Sequence, residues 1–399
     1  MAKDNFFTGQ PVFNQLLQLI PGSIIKSVVR QHQSDRYYKR FKTYEHLVTM
    51  LYTGFHKCKS LREVITGMMA CTTRINHLGI DYMPRKSTMA EANAHRTEKV
   101  FADLYHRLYA HFYPDSHHHM TGLERRLFIF DSTTISLFSE VMRGSGQIPS
   151  GKRKGGVKAH ILMKADEEVP RFVCLTEAKE NDNIFTPMIH LPKDSIVTFD
   201  RIYYGFTPLI NWDRNGITWV TRMHTLIAYT IVETMEISEE QKSEGIIADE
   251  RIIAGASKRK DKMPARRITY QDPETKKKLI FFTNNNHMPA SMIANIYKKR
   301  WQIESLFKRL KQNYPLKYFL GETPNAIKIQ IWCALIADLL IKIVKDKLTR
   351  KWSFSNIASM IRLHLMTYIN LLKFFQNPEK ALKNYCEQPI NAQYSLFPT

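Results

Sequence analysis

Tyr297-Lys-Lys-Arg-Trp-Gln-Ile-Glu-Ser-Leu-Phe-Lys-Arg-Leu-Lys311 decides how the rest of this chain is read. Laid on a helix at about 100° per residue, Tyr297, Arg300, Glu304 and Lys311 fall within one stripe roughly 60° wide. Ile296, Ile303, Phe307 and Leu310 fall beside it and form an apolar, core-facing stripe. A phenol, a guanidinium, a carboxylate and an ammonium therefore run along the edge of a buried face. A solvated face scatters its charges. This one sets a single acid among groups that grip phosphate, which suits nucleic-acid chemistry. The periodicity predicts one helix from about Pro289 to Gln312.

Composition supports a polyanionic partner. The chain has 399 residues, enough for two or three cores, and a formal net charge of +21. The basic residues spread along the whole length, so nucleic acid fits better than a membrane surface. The five cysteines include no C-x-x-C pair. A disulfide framework or a cysteine-built zinc site is not expected, and a reducing cytoplasm fits. The most apolar run, Ile331 to Val344, is short and contains Asp338 and Lys342. It reads as a buried helix, and no membrane partner is expected.

Outward from the opening stretch, texture divides the chain. Residues 1–120 read as a helical, basic domain, with Arg30, Arg36, Lys39, Arg40, Lys42, Arg85 and Lys86. Such a region either binds DNA or packs with its charges solvated. Ser60-Leu-Arg-Glu63 resembles a capping box. Asp115 to Met120, with three histidines, reads as a solvated linker, because adjacent residues rarely ligate one ion together. Residues 121–225 read as mixed α/β. Leu127-Phe-Ile-Phe-Asp131 and Thr134 to Phe138 are expected as two strands, and Val157 to Lys164 and Arg171 to Leu175 as two more. Ser195-Ile-Val-Thr-Phe-Asp200 follows, then a helix from about Tyr204 to Asn215 and the strand Thr218 to Arg222. Residues 226–280 hold strand-like pieces with a charged middle. The strand Leu279 to Thr283 runs into residues 281–320, which hold the opening helix, and 321–399 return to apolar, basic helices ending in a tail from Pro389.

Two acids thus stand at or just past strand ends, Asp131 and Asp200, and a third, Glu304, on a helix. Three carboxylates at the edge of a mixed sheet suit hard divalent cations, which prefer oxygen ligands and share them with phosphates. A pair of ions about 4 Å apart would serve an in-line phosphoryl displacement. Arg300 can grip a phosphate bidentately, Lys311 supplies a point charge, and Tyr297 can donate to a phosphate oxygen. Arg201 and Tyr203, just after the second acid, can do likewise. Lys158 and His160 share one face of a strand and read either as backbone contacts or as a solvent-facing edge. Lys152, Arg153 and Lys154 form a basic loop. Trp219, or Tyr229 or Tyr270 further on, is a candidate to stack on a displaced base, although Trp219 sits in an apolar strand and reads rather as core.

Asp131-Ser-Thr, Asp200-Arg-Ile-Tyr203 and Tyr297-x2-Arg300-x3-Glu304-x6-Lys311 together resemble the three signature blocks of DDE transposases, and more narrowly the insertion-sequence-four family. Ile202 stands where that family usually has glycine, and Gly156-Val-Lys-Ala-His160 resembles its stretch between the first two acids. The likeness is strong over about residues 125 to 320. It implies an α/β fold: an RNase H-like catalytic core with a β-rich insertion, flanked by α-helical N- and C-terminal regions. It implies an enzyme that cleaves the ends of an insertion element and joins them to target DNA. Two Mg2+ ions, with Mn2+ as substitute, would sit on Asp131, Asp200 and Glu304. The partners would be double-stranded DNA of the terminal inverted repeats and the target, bound by a dimer in a synaptic complex in the bacterial cytoplasm, at the nucleoid. The helices from Ile327 to Phe375 would either dimerise or cover the sheet. The alternatives are another RNase H-like nuclease or resolvase, or an inactive DNA-binding relative.

Overall fold

The computed structural model describes residues 7–114, 126–136, 156–182, 185–203, 205–255 and 262–380. The histidine-bearing linker, the basic loop Lys152 to Lys154, Phe138, Tyr204, Cys386 and the tail from Pro389 lie outside these residues. The chain divides into two compact units, Met1–Phe112 with Arg309–Thr399, and Tyr113–Lys308.

The first unit is helical. Its N-terminal helices are α1 (Val12–Leu17), α2 (Gly22–His32), α3 (Thr43–His56), α4 (Leu61–Ala70), α5 (Thr72–Ile75), α6 (Lys86–His95) and α7 (Lys99–Phe112). Ser60 caps α4 by accepting from the Glu63 amide, while the Glu63 carboxylate takes the Lys59 amide, one residue off the expected box. The unit's C-terminal helices are α12 (Pro324–Asp346), α13 (Phe354–His364) and α14 (Leu371–Gln376). Thr323 caps α12 and proline follows at its first position, where a missing N–H costs nothing. Helix α12 is apolar on nearly every side because α3, α6, α7 and α13 surround it. Its buried Asp338 is held by both arms of Arg309, at 3.1 and 2.6 Å. Trp332 donates to Glu98 at 2.8 Å. The apolar run that is too short for a bilayer is thus the centre of a bundle. Among the described residues no helix is long and apolar enough to cross a membrane.

The second unit is built on a sheet of nine strands among the described residues, in the order β3-β2-β1-β4-β5-β9-β8-β7-β6. These are β1 (Leu127–Ser136), β2 (Gly156–Lys164), β3 (Pro170–Glu177), β4 (Ile196–Phe199), β5 (Thr218–Arg222), β6 (Tyr229–Thr234), β7 (Ile246–Ala254), β8 (Met263–Gln271) and β9 (Lys278–Thr283). The first five make the mixed RNase H-like core: β1 pairs antiparallel with β2 and parallel with β4, and β4 runs parallel to β5. The strand β1 lies in the middle, buried over Leu127 to Phe130, which is why its start is a continuous apolar run. Helix α8 (Phe206–Arg214) joins β4 to β5 and sends Phe206, Leu209 and Trp212 into the aromatic core with Phe130, Phe199 and Trp219. Strands β6 to β9 extend the same sheet as antiparallel pairs, with β9 against β5. A short helix, α9 (Glu239–Ser243), opens on a full capping box at Ser238.

Two expectations are corrected. Leu127 to Asp131 and Thr134 to Phe138 are not separate strands: over the described residues β1 runs unbroken to Ser136. The polar stretch Asp131-Ser-Thr stays in the ladder because it pairs continuously with Ile161, His160 and Ala159 of β2. The helix from Pro289 to Gln312 is two helices, α10 (Ala290–Lys298) and α11 (Trp301–Asn313). Between them the Arg300 amide bonds to Tyr297 O at 3.0 Å and the Ile303 amide to Arg300 O at 3.2 Å, three residues back in each case. That tightened turn breaks the α-helical register. The division between the two units falls within α11.

Candidate active site

The parallel ladder between β1 and β4 ends at the pair Phe130 and Phe199. The next residue on each strand is an acid, Asp131 and Asp200. Neighbouring strands lie about 4.8 Å apart, so the topology seats these two acids side by side. Asp200 accepts the Ile202 amide at 3.0 Å and opens a tight turn over Arg201–Tyr203. Ile202 has no positive φ and its side chain is exposed, so this turn does not need the family's glycine. Gly156 is different: a β-carbon there would press on Thr134 and Ala178 at 3.1 Å, where β2 closes against β1.

The third acid arrives through Arg300. Its Nη1 donates to Asp131 Oδ2 at 3.1 Å and its Nη2 to Glu304 Oε1 at 2.8 Å. One buried guanidinium thus ties the central strand to the first turn of α11. Burial pushes the Asp131 carboxyl up to about 6, opposed by the Ser132 amide and Arg300 and reinforced by Asp200 and Glu304. The three acids therefore share one electrostatic neighbourhood. As the side chains stand, no three His, Cys, Asp or Glu among the described residues converge closely enough to hold an ion. Arg300 bridges two of the acids. The donor set is nonetheless all carboxylate oxygen, the chemistry hard divalent cations prefer.

Two tyrosines face this neighbourhood. Tyr297, on α10, is buried against Phe281, with Arg300 at 5.7 Å from its ring centre. Burial raises its pKa, Arg300 opposes that rise and Asp200 adds to it. Tyr203 is also buried. Burial raises its pKa as well, Ser132 opposes the rise, and Asp131, Asp182 and Asp200 add to it. Neither hydroxyl makes a well-formed hydrogen bond to another described residue. Arg201 is exposed beside Asp200. Lys311 lies on α11 beyond the division, in the helical unit, and partial burial lowers its pKa.

Lys158 and His160 share a face, as their spacing predicts, but that face points inward. His160 is fully buried, stacked on Phe185 and bonded to Thr176 at 2.9 Å. A buried imidazole cannot reach an external phosphate, so its reading as a DNA contact is corrected. Lys158 is half-buried, and its ammonium is engaged by Asp182 at 3.2 Å and by the Glu180 carbonyl at 2.8 Å. Trp219 is core, 4.8 Å from Phe282. Tyr270 is buried too, leaving Tyr229, on the edge strand β6, as the more open aromatic of the extension.

Sequence reasoning missed Asp182. It accepts from Ser132 Oγ at 2.8 Å, one residue from the first acid. Its signal was faint: an acid a few residues past β3, the strand that runs parallel to β1 and ends at the same edge of the sheet.

A family model described as a transposase DDE domain matches residues 122–340, and a second, described as a domain of unknown function, matches residues 8–81. A protein of Sinorhizobium fredii named as a transposase is 30% identical over 266 residues, covering 65% of this chain and 71% of that protein. A protein of Geobacillus stearothermophilus named as an insertion-element transposase is 23% identical over 247 residues, 59% of this chain and 61% of that one. A shorter match, 50% identical over 52 residues, is to a Synechocystis protein named as a transposase for an insertion element, covering 13% and 15% of the two chains. The family model alone spans more than half of the chain, across both strand-end acids and Glu304. The chain belongs to the DDE transposases of the insertion-sequence kind, enzymes that cleave DNA strands and join them to new sites.

Proposed function

We propose that Asp131, Asp200 and Glu304 are the catalytic acids and that they hold two Mg2+ ions, for which Mn2+ substitutes. DDE transposases generally use divalent metal ions. When bound, such ions activate the attacking hydroxyl and stabilise the leaving oxygen of phosphoryl transfer. The observation that carries the reading is the double contact of Arg300, which draws Glu304 of α11 to Asp131 on β1, beside Asp200. The chain's own groups do the positioning. Arg300 is a fork able to move from carboxylate to phosphate. Tyr297 and Tyr203 are buried, as His160 is, so in this reading they wall the site beside Arg300 and the turn after Asp200 and do not reach the DNA backbone. Arg201 and Lys311 add charge along the DNA backbone.

The substrate in this reading is double-stranded DNA, the element's terminal inverted repeats and the target, brought together by a dimer in a synaptic complex. The net charge of +21 supports a polyanionic partner. The helical residues 1–120 contribute DNA binding, residues 226–280 act as the insertion of the 121–225 and 281–320 catalytic core, and residues 321–399 serve as the C-terminal helical region. The enzyme works in the bacterial cytoplasm, at the nucleoid.

The test is single substitution. Asp131→Ala, Asp200→Ala and Glu304→Ala are each expected to reduce strand cleavage by at least about 10³-fold while end binding in gel-shift assays stays near normal. Any one of the three retaining ordinary cleavage at millimolar Mg2+ overturns its assignment. Joining of pre-cut ends to a target plasmid separates a transposase from a nuclease with the same acids.

A further inference from the structure

The two oxygens of Asp131 are held from different sides. Oδ2 takes Arg300 at 3.1 Å, and Oδ1 takes the Ser132 amide at 2.8 Å. The Ser132 hydroxyl is itself held by Asp182 Oδ1 at 2.8 Å. That same Asp182 oxygen meets Lys158 Nζ at 3.2 Å and lies 3.8 Å from His160 Nδ1. Lys158 is anchored in turn on the Glu180 carbonyl, and His160 on Thr176. The side chains of Asp182 and Lys158 are only 15% and 12% exposed, so this is a packed support and not a surface pair.

Three strands and the segment after the third meet here. Ser132 comes from β1, Lys158 and His160 from β2, Thr176 from β3, and Asp182 from the segment after β3. An acid so close to Asp131 would ordinarily compete for a divalent cation. Lys158 neutralises it and Ser132 occupies the same oxygen, which leaves Asp182 suited to support and not to ligation. The Arg300 contact is the one a cation on Asp131 displaces, because both are positive and seek the same carboxylate. The Ser132 side has no such conflict.

We propose that Asp182 is a positioning residue for the first acid: braced by Lys158, it fixes Ser132, and through Ser132 it sets the orientation of Asp131 for its divalent cation. The inference rests on the reading of Asp131 as a metal-holding acid. Groups that orient a ligating carboxylate typically contribute 10- to 100-fold to metal affinity, on the order of what is expected here.

The experiment measures Mn2+ binding to the full-length chain by calorimetry, with the metal-free thermal midpoint recorded for every variant. Asp131→Ala is the reference for loss of the site. Asp182→Ala and Ser132→Ala are each expected to raise the Mn2+ Kd by about 10- to 100-fold. The double variant should be no worse than the weaker single one, because the two residues act in series. Asp182→Asn, which keeps an acceptor for Ser132, should recover most of the affinity. Ser132→Ala leaves the pair of Asp182 with Lys158 in place, so it carries the test if Asp182→Ala does not fold. Unchanged Mn2+ affinity in Asp182→Ala and Ser132→Ala, or losses that simply add in the double variant, overturns the proposal alone. Wild-type protein that binds no Mn2+, or binding that Asp131→Ala leaves intact, removes the metal reading of Asp131 and this proposal with it.

Discussion

Arg300 spans Asp131 and Glu304 with one guanidinium, 3.1 Å to the strand residue and 2.8 Å to the helix residue. Without a cation, it is the positive charge that lets three acids sit in one neighbourhood. Arg300→Ala should therefore destabilise the metal-free protein by about 2–3 kcal/mol. That is at or below the low end for a buried pair, because Glu304 is 38% exposed and water screens it. Mg2+ should then raise the thermal midpoint more in the variant than in the wild type, since it replaces the missing charge. Arg300→Lys keeps the charge, loses the fork and should fall between them. Equal Mg2+-induced shifts in all three proteins would count against this role.

Asp131 carries the opposite liability. Its carboxyl is held near 6, above the ordinary 3.8, chiefly by burial. A raised carboxyl pKa means that ionisation costs the folded state above pH 6, and the cost fades as pH falls through 6 toward 4. Asp131→Asn should make the metal-free protein more stable near pH 7.5, on the order of 1–3 kcal/mol, while abolishing cleavage. Its advantage should be nearly gone at pH 4. Denaturant titrations of both proteins at the two pH values check this. A variant less stable than the wild type at pH 7.5 would show that the contact with Arg300 outweighs burial.

In the extension of the sheet, Arg266 on β8 grips both oxygens of Asp249 on β7, at 2.8 and 2.6 Å. Its remaining arm donates to the carbonyls of Met288 at 2.6 Å and Asn285 at 3.3 Å, in the loop that leads into α10. The pair thus ties the extension to the helix that carries Tyr297. Asp249→Ala leaves a buried guanidinium half-partnered and should cost about 3–5 kcal/mol. Cleavage should fall along with stability, and Asp249→Asn should restore part of each. Hydrogen exchange across residues 285–298 is the direct readout, and unchanged protection there would disconnect the pair from the site.

The parts of this site written in local pattern were legible. Apolar runs ending in Asp131 and Asp200 mark where the parallel pairing of β1 and β4 stops, and the i, i+4 spacing of Arg300 and Glu304 survives as a real pair. The break at Lys299 and Arg300 was not legible, because nothing in the local propensity demands it. It accompanies a guanidinium turned toward an acid on another element. Ser132 and Thr133 looked like the end of a strand because their side chains are polar, yet the ladder depends on the backbone and on β2. Asp182 escaped for a related reason. Its partners lie on two strands far upstream, and only pairing order brings them to it. His160 was misplaced because alternation along a strand shows which residues share a face and not whether that face is covered.

The helical unit holds a group with a clear acid signature. His46 on α3 is completely buried between Phe41 and Phe101, bonded to Asn93 at 2.7 Å. Burial, with Arg96 adding to it and only the Asn93 bond opposing, lowers its pKa to about 3. A depressed histidine pKa means that the folded state keeps His46 neutral while the unfolded chain takes up a proton below about 6.5. Its contribution to stability is therefore full above 6.5 and is lost as pH falls, by about 1.4 kcal/mol per pH unit down to about 3. Between pH 7.5 and 5.0 the wild type should lose about 2 kcal/mol from this residue. His46→Gln keeps a donor for Asn93 but has no proton to take up, so its stability should change less over the same interval. Comparing the two proteins at both pH values isolates this group, because the opposite trend from Asp131 is common to both and cancels. If the wild type and His46→Gln lose stability equally on acidification, the imidazole titrates inside the fold as it does outside, and the neutral reading of His46 fails.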